Sequence, residues 1–185
     1  ASDDEAVAIH AFSQTRDELT LTFGELRQRI AQARAALEEL GVRAGDRVAA
    51  YLPNIPEAVI AYLATASLGA IWAACAPEFG VKGVLDRLGQ IEPTVLFVVD
   101  GYRYGTKDID RRSDVRDIRA GLPTVEHVVS VRYLGAVVED ATSWDDFLAL
   151  GESTGRPLAF EPVPFDHPLS VLFTSGTTGL PKPIV

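Results

Sequence analysis

Residues 94–99 read TVLFVV, a run in which every position after Thr94 is apolar. A short, continuously apolar run that follows a proline is typical of a strand buried on both faces of a sheet. Comparable runs occur at residues 46–52, 70–76, 126–132 and 169–173. Segments with helical spacing separate these runs, so the sequence predicts an α/β fold in which parallel sheet layers are covered by helices.

The predicted helices begin at capping patterns. Thr22 and Glu25 form a capping box ahead of apolar residues at helical spacing, and Gly41 is suited to end that helix. Residues 54–57 (NIPE) read as a second capping box, with Asn54 as the cap, before a helix at 58–68. That helix is apolar on nearly every side, so we expect it to be buried. Further helices are predicted at residues 81–91, 113–120 and 144–150.

The bulk composition excludes several classes of protein. A length of 185 residues suits one domain, and a net charge of −9 argues against nucleic acid or an anionic membrane as the main partner. The sequence has no apolar run long enough to span a bilayer and no signal-peptide pattern at its start, so we expect a cytoplasmic location. The absence of methionine indicates a piece of a longer protein.

Residues that serve in metal sites and covalent chemistry are sparse. Cys75 is the one cysteine and lies in an apolar run, which predicts a buried structural thiol. Trp72 and Trp144 are predicted to be core aromatics. The histidines are scattered, and we predict that they form no metal site; they are His10, His127 and His167.

Residues 174–182 read TSGTTGLPK and follow the predicted strand at 169–173. Glycines let backbone amides approach a ligand closely, hydroxyls add donors, and a lysine adds a compact positive charge. Ligands of parallel sheets bind beyond the carboxyl ends of the strands. The sequence therefore predicts an anion cradle suited to a polyphosphate, formed by Thr174, Ser175, Gly176, Thr177, Thr178, Gly179 and Lys182.

Two other interpretations of this segment are open. One is a solvated turn, which its composition alone permits. The other is a Walker A loop, but that motif places lysine directly after its last glycine and begins a helix there. Here Leu180 follows Gly179, and Pro181 and Pro183 flank Lys182, so we expect extended chain after the loop.

TSGTTGLPK resembles the phosphate-binding signature of the adenylate-forming superfamily, which includes acyl-CoA synthetases, luciferases and peptide-synthetase adenylation domains. Residues 72–104 (WAACAPEFGVKGVLDRLGQIEPTVLFVVDGYRY) are most similar to the branch that joins acetoacetate to coenzyme A, and Pro183 fits that branch. The resemblance runs from about Leu21 to the end and covers only the front of such an enzyme. It implies that residues 1–185 are an incomplete N-terminal AMP-binding domain.

The resemblance also implies a reaction. These enzymes use ATP with Mg²⁺ to convert a carboxylic acid into an acyl-adenylate and pyrophosphate, and coenzyme A then displaces AMP. The adenylation lysine and the magnesium-binding glutamate of the family fall downstream of Val185, so we expect no catalytic residue and no metal ligand in this segment. The isolated segment is accordingly expected to be inactive and to bind ATP poorly; its expected partners are the small-molecule substrates and the rest of the same enzyme.

A weaker candidate site follows the strand at 94–99. Related acetyl-CoA synthetases use basic residues near this position for the phosphates of coenzyme A, which implies that role for Arg103 and Lys107. The alternative is a solvated basic loop, because arginines and aspartates alternate over residues 108–119.

Three functions stay open at this point. The first is an acetoacetate–CoA ligase. The second is a ligase for acetate, propionate or another short acid, because the acyl pocket of the family lies mostly outside this segment. The third is a noncatalytic nucleotide-binding or interaction module.

Overall fold

The computed structural model describes residues 3–175 and 179–185. In chain order the strands are β1 (Val7–Ala11), β2 (Leu19–Thr22), β3 (Arg47–Tyr51), β4 (Ile71–Cys75), β5 (Val95–Val99), β6 (Gly101–Tyr104), β7 (Lys107–Asp110), β8 (His127–Val131), β9 (Thr142–Ser143), β10 (Leu172–Phe173) and β11 (Pro183–Ile184). The helices are α1 (Phe23–Glu39), α2 (Pro56–Ser67), α3 (Val81–Leu88), α4 (Arg112–Gly121) and α5 (Trp144–Glu152).

The main sheet is parallel throughout and confirms the predicted α/β fold. Its strand order is β4-β3-β5-β8-β9. Successive side chains of a strand point to opposite faces, so alternate residues of β5 pack in two different cores. Phe97 packs in the core that holds residues of α1, α2 and α5, whereas Leu96 and Val98 pack in the core that holds residues of α3 and α4. Every residue of β5 is buried, as the run TVLFVV predicts.

Helix α1 has the predicted capping box. The Thr22 hydroxyl accepts a hydrogen bond from the Glu25 backbone N–H at 3.2 Å, and the Glu25 carboxylate accepts one from the Thr22 N–H at 2.8 Å. The helix ends at the C-cap residue Leu40, and Gly41 follows with φ of 86°, a left-handed conformation that favours glycine.

The prediction of a second capping box at Asn54 was wrong. The N-cap of α2 is the buried Ile55, whose side chain makes no capping hydrogen bond, and Pro56 occupies the first helical position. Proline fits that position because its fixed φ is helical and its missing N–H has no partner to lose there. Asn54 lies exposed one residue too early to cap. Helix α2 is fully buried on one side only.

Helix α3 is shorter than predicted. It ends at Leu88 rather than at residue 91, because Gly89 caps it and the chain then turns through Glu92, which has φ of 50°. The other predicted helices match α4 and α5 to within two residues at each end. Ser143 caps α5 by accepting a hydrogen bond from the Asp146 N–H. The sequence analysis did not identify Ser143 as a cap.

The predicted buried strand at 169–173 is only partly confirmed. Ser170 forms a parallel bridge with Trp72 of β4, so this segment extends the main sheet at one point. The chain then leaves the sheet, and Leu172 and Phe173 pair instead with Ile184 and Pro183 in the antiparallel β10–β11 hairpin. Leu172 is 67% exposed as a result.

Other predictions concern single side chains. Phe97 lies between the two tryptophans, with ring centroids 6.3 Å from Trp72 and 6.0 Å from Trp144, so both are core aromatics as predicted. Cys75 is buried, and burial raises the pKa of its thiol to about 11. At neutral pH the thiol is therefore protonated and suited to packing.

The described residues were also compared with the requirements of a membrane span and of a metal site. In the parts of the chain that the structure describes, no helix is long and apolar enough to cross a bilayer. Across residues 3–175 and 179–185, no group of three or more His, Cys, Asp or Glu side chains is placed to hold a metal ion.

Candidate functional site

The two ends of the predicted phosphate loop meet. The Thr174 N–H donates to the Lys182 carbonyl at 3.1 Å, and the Lys182 N–H donates to the Thr174 hydroxyl at 2.9 Å. Directly behind this pair, Phe173 faces Pro183 across the β10–β11 hairpin. These contacts close the neck of the loop, defined here as residues 172–174 and 181–184. The chain after Lys182 is extended, as its two prolines predict.

Three other residues of the predicted cradle are described by the structure, namely Ser175, Gly179 and Lys182. Ser175 and Lys182 are exposed, so their polar groups are accessible to a ligand. Gly179 has φ of 156°, and among the described residues other than its chain neighbours no atom lies within 4 Å of the position that a Cβ would take. Gly176, Thr177 and Thr178 belong to the same predicted cradle but lie outside the described residues.

The neck follows a segment that touches the parallel sheet at one point. Ser170 bridges Trp72 near the start of β4 and runs parallel to that strand, and the chain then leaves the sheet for the β10–β11 hairpin. Hydroxyls, backbone N–H groups and an exposed ammonium in this segment form a donor set suited to a phosphate anion.

The predicted loop at residues 100–107 is instead a hairpin. Strands β6 and β7 pair antiparallel, with Arg103 opposite Asp108 and Tyr104 opposite Lys107. The continuous apolar pattern of β5 ends at Asp100, and the alternation of the short strands after it is too brief to be recognised.

Arg103 has two hydrogen-bonding partners, one within the hairpin and one in the segment between β1 and β2. Its Nε and Nη2 donate to the two oxygens of Asp108 at 2.6 and 3.1 Å, and its Nη1 donates to the Gln14 carbonyl at 2.9 Å. The hydrogen bonds from Arg103 lower the pKa of Asp108. Lys107 is exposed at the tip of the hairpin. The structure therefore places both residues in the hairpin that follows the carboxyl end of β5, and Arg103 already has hydrogen-bonding partners there.

The arginines that follow are paired with neighbouring acids. Arg112 donates to both oxygens of Asp110, and Arg116 donates to Asp117 at 3.1 Å. These pairs are largely exposed. Their pattern is that of a solvated, charge-balanced surface, which is the alternative interpretation given above for this segment.

The two candidate groups follow different parts of the sheet. The neck follows the segment beside β4, whereas the β6–β7 hairpin follows β5, and β3 separates β4 from β5. The neck and the hairpin are therefore treated as two separate groups of residues.

Asp100 connects the end of β5 to the loop after β8, and the sequence analysis did not identify it. Its carboxylate is buried and accepts hydrogen bonds from the backbone N–H groups of Tyr133, Leu134 and Ala136 at 2.6–3.1 Å. It thereby fixes the loop after β8 to the end of β5. An aspartate directly after a buried apolar strand is a signal for such a role, but the sequence does not indicate which N–H groups it will meet.

Comparison with known proteins identifies a family and several relatives. The model of the family described as AMP-binding enzyme matches residues 2–185. The chain is 42% identical to acetoacetyl-CoA synthetase of Macaca fascicularis, covering 99% of this chain and 29% of that protein. It is 49% identical to acetoacetyl-coenzyme A synthetase of Rhizobium meliloti, covering 89% of this chain and 26% of that protein.

The chain is also similar to a more distant relative and to a solved structure. Malonamoyl-CoA synthetase of Penicillium aethiopicum is 38% identical, over the whole of this chain and 27% of that protein. The solved structure of acetoacetyl-CoA synthetase from Streptomyces lividans superimposes with a TM-score of 0.88 at 48% identity, covering 98% of this chain and 27% of that one. The chain thus spans less than a third of the length of these relatives.

Proposed function

Because the chain belongs to the family of AMP-binding enzymes, we propose that it is the N-terminal portion of an ATP-dependent acid–thiol ligase. The longer enzyme that carries it is called the parent enzyme below. It converts acetoacetate, ATP and coenzyme A into acetoacetyl-CoA, AMP and pyrophosphate. Residues 1–185 are part of its N-terminal AMP-binding domain, and the cytoplasm is the proposed location.

The observation that carries this proposal is similarity along almost the entire chain to relatives named for one activity. Relatives named acetoacetyl-CoA synthetase come from a primate and a bacterium, and a solved structure with that name shares the fold at 48% identity. The closed neck between Thr174 and Lys182 supports it further, because it holds the two ends of the phosphate-binding signature together while Ser175 and Lys182 stay exposed.

In this proposal the loop at 174–182 acts on the leaving pyrophosphate. The carboxylate of the acid attacks the α-phosphorus of ATP, and negative charge grows on the departing β- and γ-phosphates. Donors held around those phosphates stabilise the growing charge without having to reorganise. The proposed donors are the backbone and side chains of Thr174, Ser175, Gly176, Thr177, Thr178, Gly179 and Lys182.

Mg²⁺ is proposed only as a companion of ATP. Since the described residues place no cluster of metal-binding side chains, no ligand of the ion is assigned to this part of the chain, and no step is derived through it. The loop donors act directly on phosphate oxygens, so their proposed role stands without a metal ligand.

Arg103 and Lys107 are proposed to contact the phosphates of coenzyme A. We expect Arg103→Glu in the parent enzyme to raise the KM for coenzyme A about tenfold, since a charge-assisted hydrogen bond to phosphate is lost and a repulsion is added. The KM for ATP should stay within twofold. The matched control is Arg116→Glu, which removes an exposed arginine paired with Asp117. An unchanged KM for coenzyme A in Arg103→Glu would support the solvated-loop interpretation instead.

The identity of the acid has a second candidate. The relative named malonamoyl-CoA synthetase is 38% identical over the same residues, so this portion of the fold is compatible with a different short acid. Acetate, propionate and malonamate are therefore the competing substrates.

Pyrophosphate release by the parent enzyme tests the proposal. The acids to compare are acetoacetate, acetate, propionate and malonamate, each with ATP and coenzyme A. We expect the highest kcat/KM with acetoacetate. A preference for another acid would favour the second candidate. No release with any acid, from protein that is folded, would favour a noncatalytic module.

A further inference from the structure

Gln90 connects the neck of the loop to the α/β body. Its side-chain Nε2 donates to the Pro181 carbonyl at 2.7 Å, across 91 residues of sequence, and to the Asp86 carbonyl at 2.6 Å. Pro181 is buried, although the residues on both sides of it are exposed. The residue directly before Lys182 is thus fixed from outside the hairpin.

The orientation of the Gln90 amide is determined by its partners. Both contacts are carbonyl oxygens, which only accept hydrogen bonds. The NH₂ group of glutamine has two hydrogens, and its oxygen has none. Only the NH₂ group can donate to both carbonyls, so each of its two hydrogens has a partner. One orientation of the Gln90 amide therefore satisfies both contacts.

Helix α3, which ends just before Gln90, is itself firmly held. At its start the Tyr51 hydroxyl lies 2.8 Å from the Pro77 carbonyl and 2.7 Å from the Phe79 carbonyl, to which it donates. Burial raises the pKa of Tyr51 to about 12, so the phenol keeps its proton at neutral pH. Arg87 stacks on the Phe79 ring at 4.5 Å and donates to the Gly83 carbonyl. Gln90 therefore projects from a fixed support.

The neck needs such a support. Strands β10 and β11 have two residues each, and Leu172 and Ile184 are 67% and 52% exposed. A two-stranded hairpin of this size is marginally stable in water. Without an external contact, the direction from which the Lys182 side chain leaves the backbone would vary.

We infer that Gln90 is a positioning residue for the phosphate loop, because it fixes Pro181 so that the side chain of Lys182 starts from one place. This inference rests on the proposed function, because it assigns to Gln90 an effect on ATP in the adenylation step. Gln90 touches no reacting atom in this role and acts through the backbone of its neighbour.

The test uses two variants of the parent enzyme, Gln90→Ala and Gln90→Glu. We expect Gln90→Ala to raise the KM for ATP about tenfold, the effect of losing one well-placed hydrogen bond. Gln90→Glu should have a larger effect because carboxylate oxygens would face both carbonyls. The KM values for acetoacetate and coenzyme A should stay within twofold. The matched control is Gln28→Ala, an exposed glutamine on α1. Calorimetric titration with ATP gives a second readout that needs no turnover.

The outcomes separate this inference from the proposed function. An active wild-type enzyme with an unchanged KM for ATP in both variants would overturn the role of Gln90. Equal rises in all three KM values, accompanied by a lower melting temperature, would also overturn it, since they would indicate a purely structural contact. A folded wild-type enzyme that releases no pyrophosphate would overturn the proposed function instead, and ATP titration would still test Gln90.

Discussion

Lys182→Ala in the parent enzyme is expected to slow acid-dependent pyrophosphate release about 100-fold. Removing one preorganised donor from a developing oxyanion typically lowers kcat by this order. Lys182 supplies an exposed ammonium at a neck closed by two hydrogen bonds to Thr174, so its backbone is already placed before ATP binds. Thioester formation from supplied acyl-adenylate should change less than about threefold, because pyrophosphate has left before that step.

The matched control for Lys182→Ala is Lys82→Ala. Lys82 is also exposed, with 85% of its side chain accessible, and its partner is the surface carboxylate of Asp86. An exposed pair of this kind contributes about 0.3–0.5 kcal/mol, so both half-reactions should be nearly unchanged. Equal losses in the two half-reactions of Lys182→Ala would contradict a role in pyrophosphate departure.

Gly151→Ala is expected to destabilise the parent enzyme's N-terminal domain by about 3 kcal/mol and thus to lower its melting temperature by several degrees. Gly151 of α5 packs directly on α1. A Cβ there would lie 2.7 Å from the Gln32 carbonyl carbon and 2.9 Å from the Ala36 N, with the Gln32 oxygen closer still. These are backbone atoms, which have no alternative rotamer, so the two helices must move apart and open the core around Phe147.

Gly80→Ala controls for the loss of a glycine in general. Gly80 has φ of −72°, and in the part of the chain that the structure describes no atom beyond its chain neighbours lies within 4 Å of its Cβ position. Its replacement should change stability by less than about 1 kcal/mol. Thermal unfolding followed by circular dichroism measures both variants. If Gly151→Ala has the same melting temperature as the wild type, α1 and α5 do not pack as closely as described.

The main sheet was predictable because its strands are short and buried on both faces. The run at 94–99 has no polar residue after Thr94, and it became the all-buried β5. The Thr22 capping box also formed as predicted, because all of its partners lie within four residues of one another. Patterns of this kind depend on local chemistry, and tertiary contacts did not override them.

The errors arose where two local signals competed or where the partner lies far along the chain. At residues 54–57, the preference of Pro56 for the first helical position displaced the cap from Asn54 to Ile55. Residues 169–173 have the composition of a buried strand, but their pairing partner, Pro183–Ile184, lies beyond the phosphate loop.

The residues of the candidate site differ in how far the sequence indicates them. The phosphate-binding role of TSGTTGLPK follows from its residue types and stays a prediction. Gln90 and Asp100 were not predictable, because their hydrogen bonds span 91 residues to Pro181 and 33–36 residues to the loop after β8. Only the folded chain brings these partners together.

The most direct measurement of the central claim is the distance between Lys182 Nζ and the nearest phosphate oxygen, in a crystal structure of the parent enzyme with ATP bound. The proposed function predicts about 2.7–2.9 Å to a β- or γ-phosphate oxygen, with the loop donors around the same group. ATP phosphates bound elsewhere, with residues 174–182 facing solvent, would contradict it.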